Sequence, residues 1–88
     1  MQIIMTTKVN VRPLHTIATE IIKDWGNKMY FGARPYVMAM LKLNSIDDNY
    51  IMDSGKSIVI YFLANAGTWR GDKAREIKKE LKKLAGIK

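Results

Sequence analysis

Apolar residues recur along this chain with a helical period, broken by short polar connections. Leu14, Ile17, Ala18, Ile21, Ile22 and Trp25 fall at i, i+3, i+4, i+7, i+8 and i+11, and Glu20, Lys23 and Asp24 lie opposite them. That spacing predicts an amphipathic helix over 13–25. Pro13 suits a first turn, where its missing N–H has no partner to lose, and Gly26-Asn27 stops the helix. Residues 26–34 form a connection in which Tyr30 and Phe31 are expected to tuck into the core; the alternative is an aromatic platform for a base or ring. The next segment, PYVMAMLKL, is apolar on nearly every side, with Lys42 as its only charge, which predicts a central helix over 35–43.

The loop NSIDDNYIMDSG follows, and Asp53 or Ser54 is the expected N-cap of a third helix. Ile58, Val59, Ile60, Tyr61 and Phe62 favour a buried strand by propensity. The length from Ser54 to Ala66 and the capping residues favour a buried helix, and a helix over 54–66 is the reading adopted. Gly67 ends it, and Thr68 is expected to cap a last helix over 69–84 with Asp72 in its first turn, complementing the helix dipole. Ala74, Ile77, Leu81 and Leu84 form its apolar seam among Lys73, Arg75, Lys78, Lys79, Lys82 and Lys83, and Gly86 is the stop.

The resulting expectation is an all-α fold: a compact bundle of about four short helices, the middle two forming the core and the first and last covering them. Residues 1–12 read as an N-terminal arm, with Ile3, Ile4, Val9 and Val11 either packing as an edge strand or fraying. Residues 13–88 read as one helical domain. At 88 residues a single core buries a modest fraction of the chain's surface, so homo-oligomerisation would add to stability.

Composition narrows the chemistry. With no cysteine, disulfides and thiolate metal sites are excluded and a reducing cytoplasm suits the chain. No apolar run approaches the roughly 20 residues of a membrane span, and MQIIMTTKVNVR does not read as a signal peptide. The net charge of +7 is uneven: residues 1–52 carry +2 and residues 53–88 carry +5. A field of that sign favours anionic partners, although solvated lysines on a helix face give the same count.

Catalytic machinery is sparse. His15 is the only histidine and the acids are dispersed, so neither a nucleophile–base pair nor a histidine metal cage is legible. Asp47, Asp48 and Asp53 lack the alternating spacing of a calcium loop. Gly55-Lys56-Ser57 imitates the end of a phosphate-binding loop, but Tyr50 stands where that motif needs its first glycine. No catalytic residue, metal ligand or cofactor is therefore expected.

Binding residues are more legible. Trp69 beside Arg70, with Lys73 and Arg75 a turn on, offers a ring face and phosphate partners. The bland alternative is that Trp69 staples two helices and Arg70 pairs with Asp48 or Asp72. Asn65 either satisfies backbone carbonyls or contacts a ligand, and Lys56 and Thr68 stand at expected helix starts where free N–H groups hold anions. The candidate ligand-binding set is Lys56, Asn65, Thr68, Trp69, Arg70, Lys73 and Arg75.

PLHTIATEIIKDW, YFGARPYVMAM and above all YFLANAGTWRGDKAR resemble a family of small proteins encoded by tailed bacteriophages. The resemblance covers residues 13–84 and implies a phage origin, residence in the cytoplasm of an infected bacterial host and an association with countering host defence; it implies no residue roles. Together with the residues, it yields three expectations in order. The first is a non-enzymatic binder that sequesters a phosphate-bearing small ligand, such as a cyclic nucleotide or ADP-ribose-type signal. The second is a basic nucleic-acid-binding accessory protein. The third is an inhibitor of a host protein anchored by Trp69, Tyr61 or Phe31.

Overall fold

A computed structural model describes residues 11–87. Four α-helices account for most of them: α1 (Leu14–Trp25), α2 (Arg34–Met40), α3 (Gly55–Ala64) and α4 (Asp72–Ala85). A 3-10 turn, Gly26–Lys28, continues α1. Each helix lies against the next in sequence, and α1 closes the ring on α4. The expected helical bundle is therefore present, but α1 and α4 are full partners in its core rather than outer covers: Ile17, Ile21, Ile77 and Leu81 are as buried as Val37, Met40, Val59 and Phe62. No helix among the described residues is long and apolar enough to cross a membrane.

Local chemistry accounts for most helix ends. Pro13 is the N-cap of α1 and provides no side-chain bond; instead the N–H groups of Leu14 and His15 donate to the carbonyls of Asn44 and Leu43, both at 2.9 Å. The 43–45 segment thus completes the start of α1, which unites residues thirty positions apart in sequence. Ser54 caps α3 by accepting from the Ser57 N–H, as one of the two candidates required. Gly86 ends α4 in the left-handed region, with φ 74°. The strand alternative for 57–66 is overruled: this segment continues one helix from Gly55 to Ala64, burying Ile58, Val59 and Phe62.

Several expectations need correction. The second helix stops at Met40 rather than residue 43, and Met38 is exposed, so α2 is not buried all round. The loop before α3 contains a two-stranded hairpin, β1 (Asn49–Tyr50) and β2 (Asp53–Ser54), paired antiparallel with Tyr50 opposite Asp53. Its tip, Ile51-Met52, is fully exposed. Of the apolar residues assigned to the N-terminal arm, Ile3, Ile4 and Val9 lie outside the described residues and Val11 is exposed. Arg12 is held firmly: its guanidinium donates to Glu80 at 2.8 and 3.0 Å and to Glu20 at 2.7 Å, tying the chain before α1 to α1 and α4.

Candidate functional site

The bend between α3 and α4 departs most from the sequence expectation. Thr68 caps nothing. The N-cap of α4 is Gly71, whose φ of 110° suits a residue without a Cβ. Helix α4 begins at Asp72, and Trp69-Arg70 is part of the connection that precedes it. The cause is the indole of Trp69, which turns inward to 2% exposure. It stacks on Trp25 at 5.5 Å between centroids and 14° between planes, with the edge of Phe62 at 6.2 Å. Its Nε1–H donates to Asp24 Oδ2 at 2.9 Å. A helical first turn at 69 would have to be compatible with that buried position, and the favourable burial of a large ring outweighs a modest capping bond. The expected stacking face of Trp69 is therefore unavailable to a ligand and Trp69 joins the helices as the alternative had it, but Arg70 pairs with neither Asp48 nor Asp72, which serve the 44–45 turn and Arg75.

The remaining candidates separate. Lys56 lies in the first turn of α3 and Asn65 is the C-cap at its other end, roughly 14 Å apart along the axis. Lys56 thus does not join the bend. Gly55 beside it serves packing: a Cβ there would stand 2.7 Å from the Ile46 carbonyl oxygen. Its N–H donates to the Asp48 carbonyl at 2.7 Å and the Ser57 N–H to Ser54 Oγ, so two of the N–H groups an anion would need are already engaged. Asn65 uses its Nδ2–H on the Tyr61 carbonyl at 2.8 Å. Asp48 Oδ2 accepts from the N–H groups of Asn44 and Ser45, a turn role. No group of acidic or histidine side chains able to hold a metal ion occurs among the described residues.

Lys73 and Arg75 are both drawn into ion pairs. Lys73 Nζ lies 3.3 Å from Glu20 Oε1 and 3.8 Å from Glu76, and Arg75 pairs with Asp72. Glu20 Oε1 is buried without a well-angled hydrogen bond, so the Lys73 ammonium is what balances it. The hydrogen bond from Arg12 and, after it, the nearby Lys73 ammonium hold the Glu20 carboxyl below the ordinary carboxylate range, against the opposing effect of burial.

What emerges instead is a sorting of charge around α4. Successive residues are about 100° apart on a helix. With Ala74, Ile77, Leu81 and Ala85 facing the core, Glu76, Glu80 and Lys73 fall on the flank toward α1. There Glu80 and Lys73 join the Arg12–Glu20 network. The other flank presents Lys78, Lys82, Arg75, Lys79 and Lys83 in that order over about 140° of arc, with Asp72 of the first turn in the same arc and paired with Arg75. None of Lys78, Lys79, Lys82 and Lys83 is in an ion pair among the described residues, and neither is Arg70. Lys78 Nζ donates to the Trp69 carbonyl at 2.7 Å and lies 6.0 Å above the Trp69 ring. Burial, then the charges of Arg70 and Lys82, push its pKa down. Arg70 thus stands near enough to α4 for its charge to act on Lys78.

Beside Arg70 runs an open groove of about 580 Å³, lined by Asp24, Trp25, Lys28, Thr68, Trp69 and Arg70. Charge sorting of this kind was legible in the lysine count of the last helix, but not the engagement of its Glu80 by Arg12, which precedes α1. No family model, curated protein or solved structure matches this chain.

Proposed function

We propose that this protein is a non-catalytic binder of nucleic acid that uses the cationic flank of α4, extended by Arg70, to hold the phosphate backbone. The observation that carries the reading is the sorting of charge on α4: Glu80 is engaged by Arg12 and Glu76 lies against Lys73, whereas Lys78, Lys79, Lys82 and Lys83 have no carboxylate partner among the described residues, and Asp72, the acid within their arc, is paired with Arg75. Lys78 or Lys79, then Lys82 or Lys83, present cations on successive turns about 5.4 Å apart, a spacing suited to following a chain of phosphates. Lys78, crowded by Arg70 and Lys82, gains a counter-charge when phosphate arrives.

Binding of this kind releases counterions and is steeply salt-dependent. With about four or five phosphates neutralised, the slope of log K against log salt for a single strand is about −3, a loss on the order of 50-fold between 50 and 200 mM salt. Fluorescence anisotropy with labelled oligonucleotides measures it, and an affinity indifferent to salt overturns the proposal. A second reading has one observation in its favour: the groove between Lys28 and Arg70 has the volume of a small-ligand site, although the Trp69 ring is buried rather than offered there. Calorimetry with cyclic nucleotides and ADP-ribose derivatives tests it, and micromolar binding lost in Arg70→Ala supports it. The resemblance of YFLANAGTWRGDKAR to phage proteins supports, for either reading, action in the cytoplasm of an infected bacterium.

A further inference from the structure

Tyr30 and Phe31 do not tuck into the core as expected: they are 44% and 77% exposed. They are nonetheless placed by a pinned turn. Met29 before them and Ala33 after them are buried. The Met29 N–H donates to Gly26 O at 3.1 Å, Ala33 N–H to Tyr30 O at 3.0 Å and Arg34 N–H to Phe31 O at 3.3 Å. The two rings lie 5.0 Å apart with a tilt of 55°. Gly32 makes room for this arrangement, since a Cβ there would stand 2.4 Å from Tyr30 Cε2 and 3.1 Å from Asn65 Oδ1. The aromatic pair is therefore seated against the end of α3 and turned outward.

The stretch of chain around it is cationic. Residues 25–46 contain Lys28, Arg34 and Lys42 and no Asp or Glu. Tyr30 also lines a hollow with Asn65 and Thr68, and Thr68 lines the adjoining groove with Lys28 and Arg70. Tyr30, with Phe31 packed against it, thus borders hollows that adjoin at Thr68 and lead to Arg70, and Lys78 of α4 is bonded to the carbonyl of the neighbouring Trp69. Asp24 is the one acid in the groove, and its Oδ2 already accepts the Trp69 indole N–H.

We infer that the Tyr30–Phe31 pair is a base-stacking site, which makes the ligand a single-stranded nucleic acid whose phosphates run along Arg70 and the α4 lysines. Bases in a duplex are already stacked and offer no face to Phe31, whereas an unpaired base adds its π-face to the phosphate contacts of the cationic track. This inference rests on the nucleic-acid reading above but concerns different side chains, so the two fail separately.

The test is anisotropy with three labelled probes of equal length: oligo(dT), an abasic strand and a duplex. The full chain should bind oligo(dT) about tenfold more tightly than the abasic strand. Phe31→Ala should remove that tenfold advantage while keeping the salt slope and the duplex affinity; Phe31→Trp should retain it. Lys79→Ala/Lys83→Ala should flatten the salt slope on all three probes and leave the oligo(dT) preference intact. The inference is overturned if the unaltered protein binds oligo(dT) and the abasic strand equally, a comparison that requires no variant to fold, or if Phe31→Ala retains the preference. Absence of salt-dependent binding to any probe overturns the nucleic-acid reading itself.

Discussion

Replacement of Trp69 by alanine tests whether this ring belongs to the core or to a ligand surface. The indole is 2% exposed, stacked on Trp25 and edged by Phe62. Truncating such a ring removes its transfer free energy and leaves a cavity between α1, α3 and α4, which costs about 3–5 kcal/mol. The bond to Asp24 adds little, about 1 kcal/mol, because that carboxylate is exposed and rehydrates. A chain of this length has a total stability of roughly 4–13 kcal/mol, so Trp69→Ala is expected to sacrifice a large share of it. In urea, with a slope of about 1 kcal/mol/M for a small domain, the unfolding midpoint falls by about 3 M or more. Trp69→Phe retains most of the apolar ring but loses the hydrogen bond and part of the stack; its expected cost is about 1–2 kcal/mol. The stacked indole pair provides a second readout, a near-ultraviolet circular-dichroism signal that either substitution abolishes. The reasoning is refuted if Trp69→Ala unfolds within about 0.5 kcal/mol of the parent while losing ligand binding, because the ring would then be acting at the surface.

Two further outcomes follow from the geometry. Ile51 at the hairpin tip has φ 58° with a β-branched side chain that is 82% exposed, so Ile51→Gly exchanges backbone strain for unfolded-state entropy and should raise stability by about 0.5–1 kcal/mol in urea unfolding; a loss of stability refutes the strain. Arg12 and then Lys73 hold the Glu20 carboxyl below its ordinary range, so the folded form binds fewer protons there than the unfolded chain. The corresponding stability is complete above the unfolded value of about 4.3 and is lost as pH falls through the lower folded value. Urea midpoints from pH 6 downward should show this acid decline, and Glu20→Gln should flatten it; an unchanged profile in that variant refutes the assignment.

Much of the fold was legible because helix periodicity is local. The stripe from Leu14 to Trp25, the seam from Ala74 to Leu81, the Ser54 cap and the Gly86 stop each depend on neighbours within a few turns. Even the β-branched and aromatic run 58–62 could be assigned to a helix from its length and its cap. The candidate site was legible only in part. Arg70 and the lysines of α4 were visible as charge, but the role of Trp69 was not settled by its position beside Arg70, and the aromatic pair at 30–31 was placed inside when the structure turns it out.

Those outcomes depend on contacts between residues far apart in the chain. Thr68 and Asp72 are a locally sensible start for a helix at 69, yet Trp25 and Asp24 draw the indole inward and delay the helix to Asp72. Met29 and Ala33 occupy the buried positions around Tyr30 and Phe31, which leaves these rings on the outside of the turn. Arg12 reaches Glu20 and Glu80 together only after α1 and α4 are side by side. The sequence by itself determined which segments are helical and how much positive charge the last one carries. Tertiary packing decided which rings are hidden and which cations keep no carboxylate partner, because burial and ion pairing are settled among surfaces that meet only when the bundle closes.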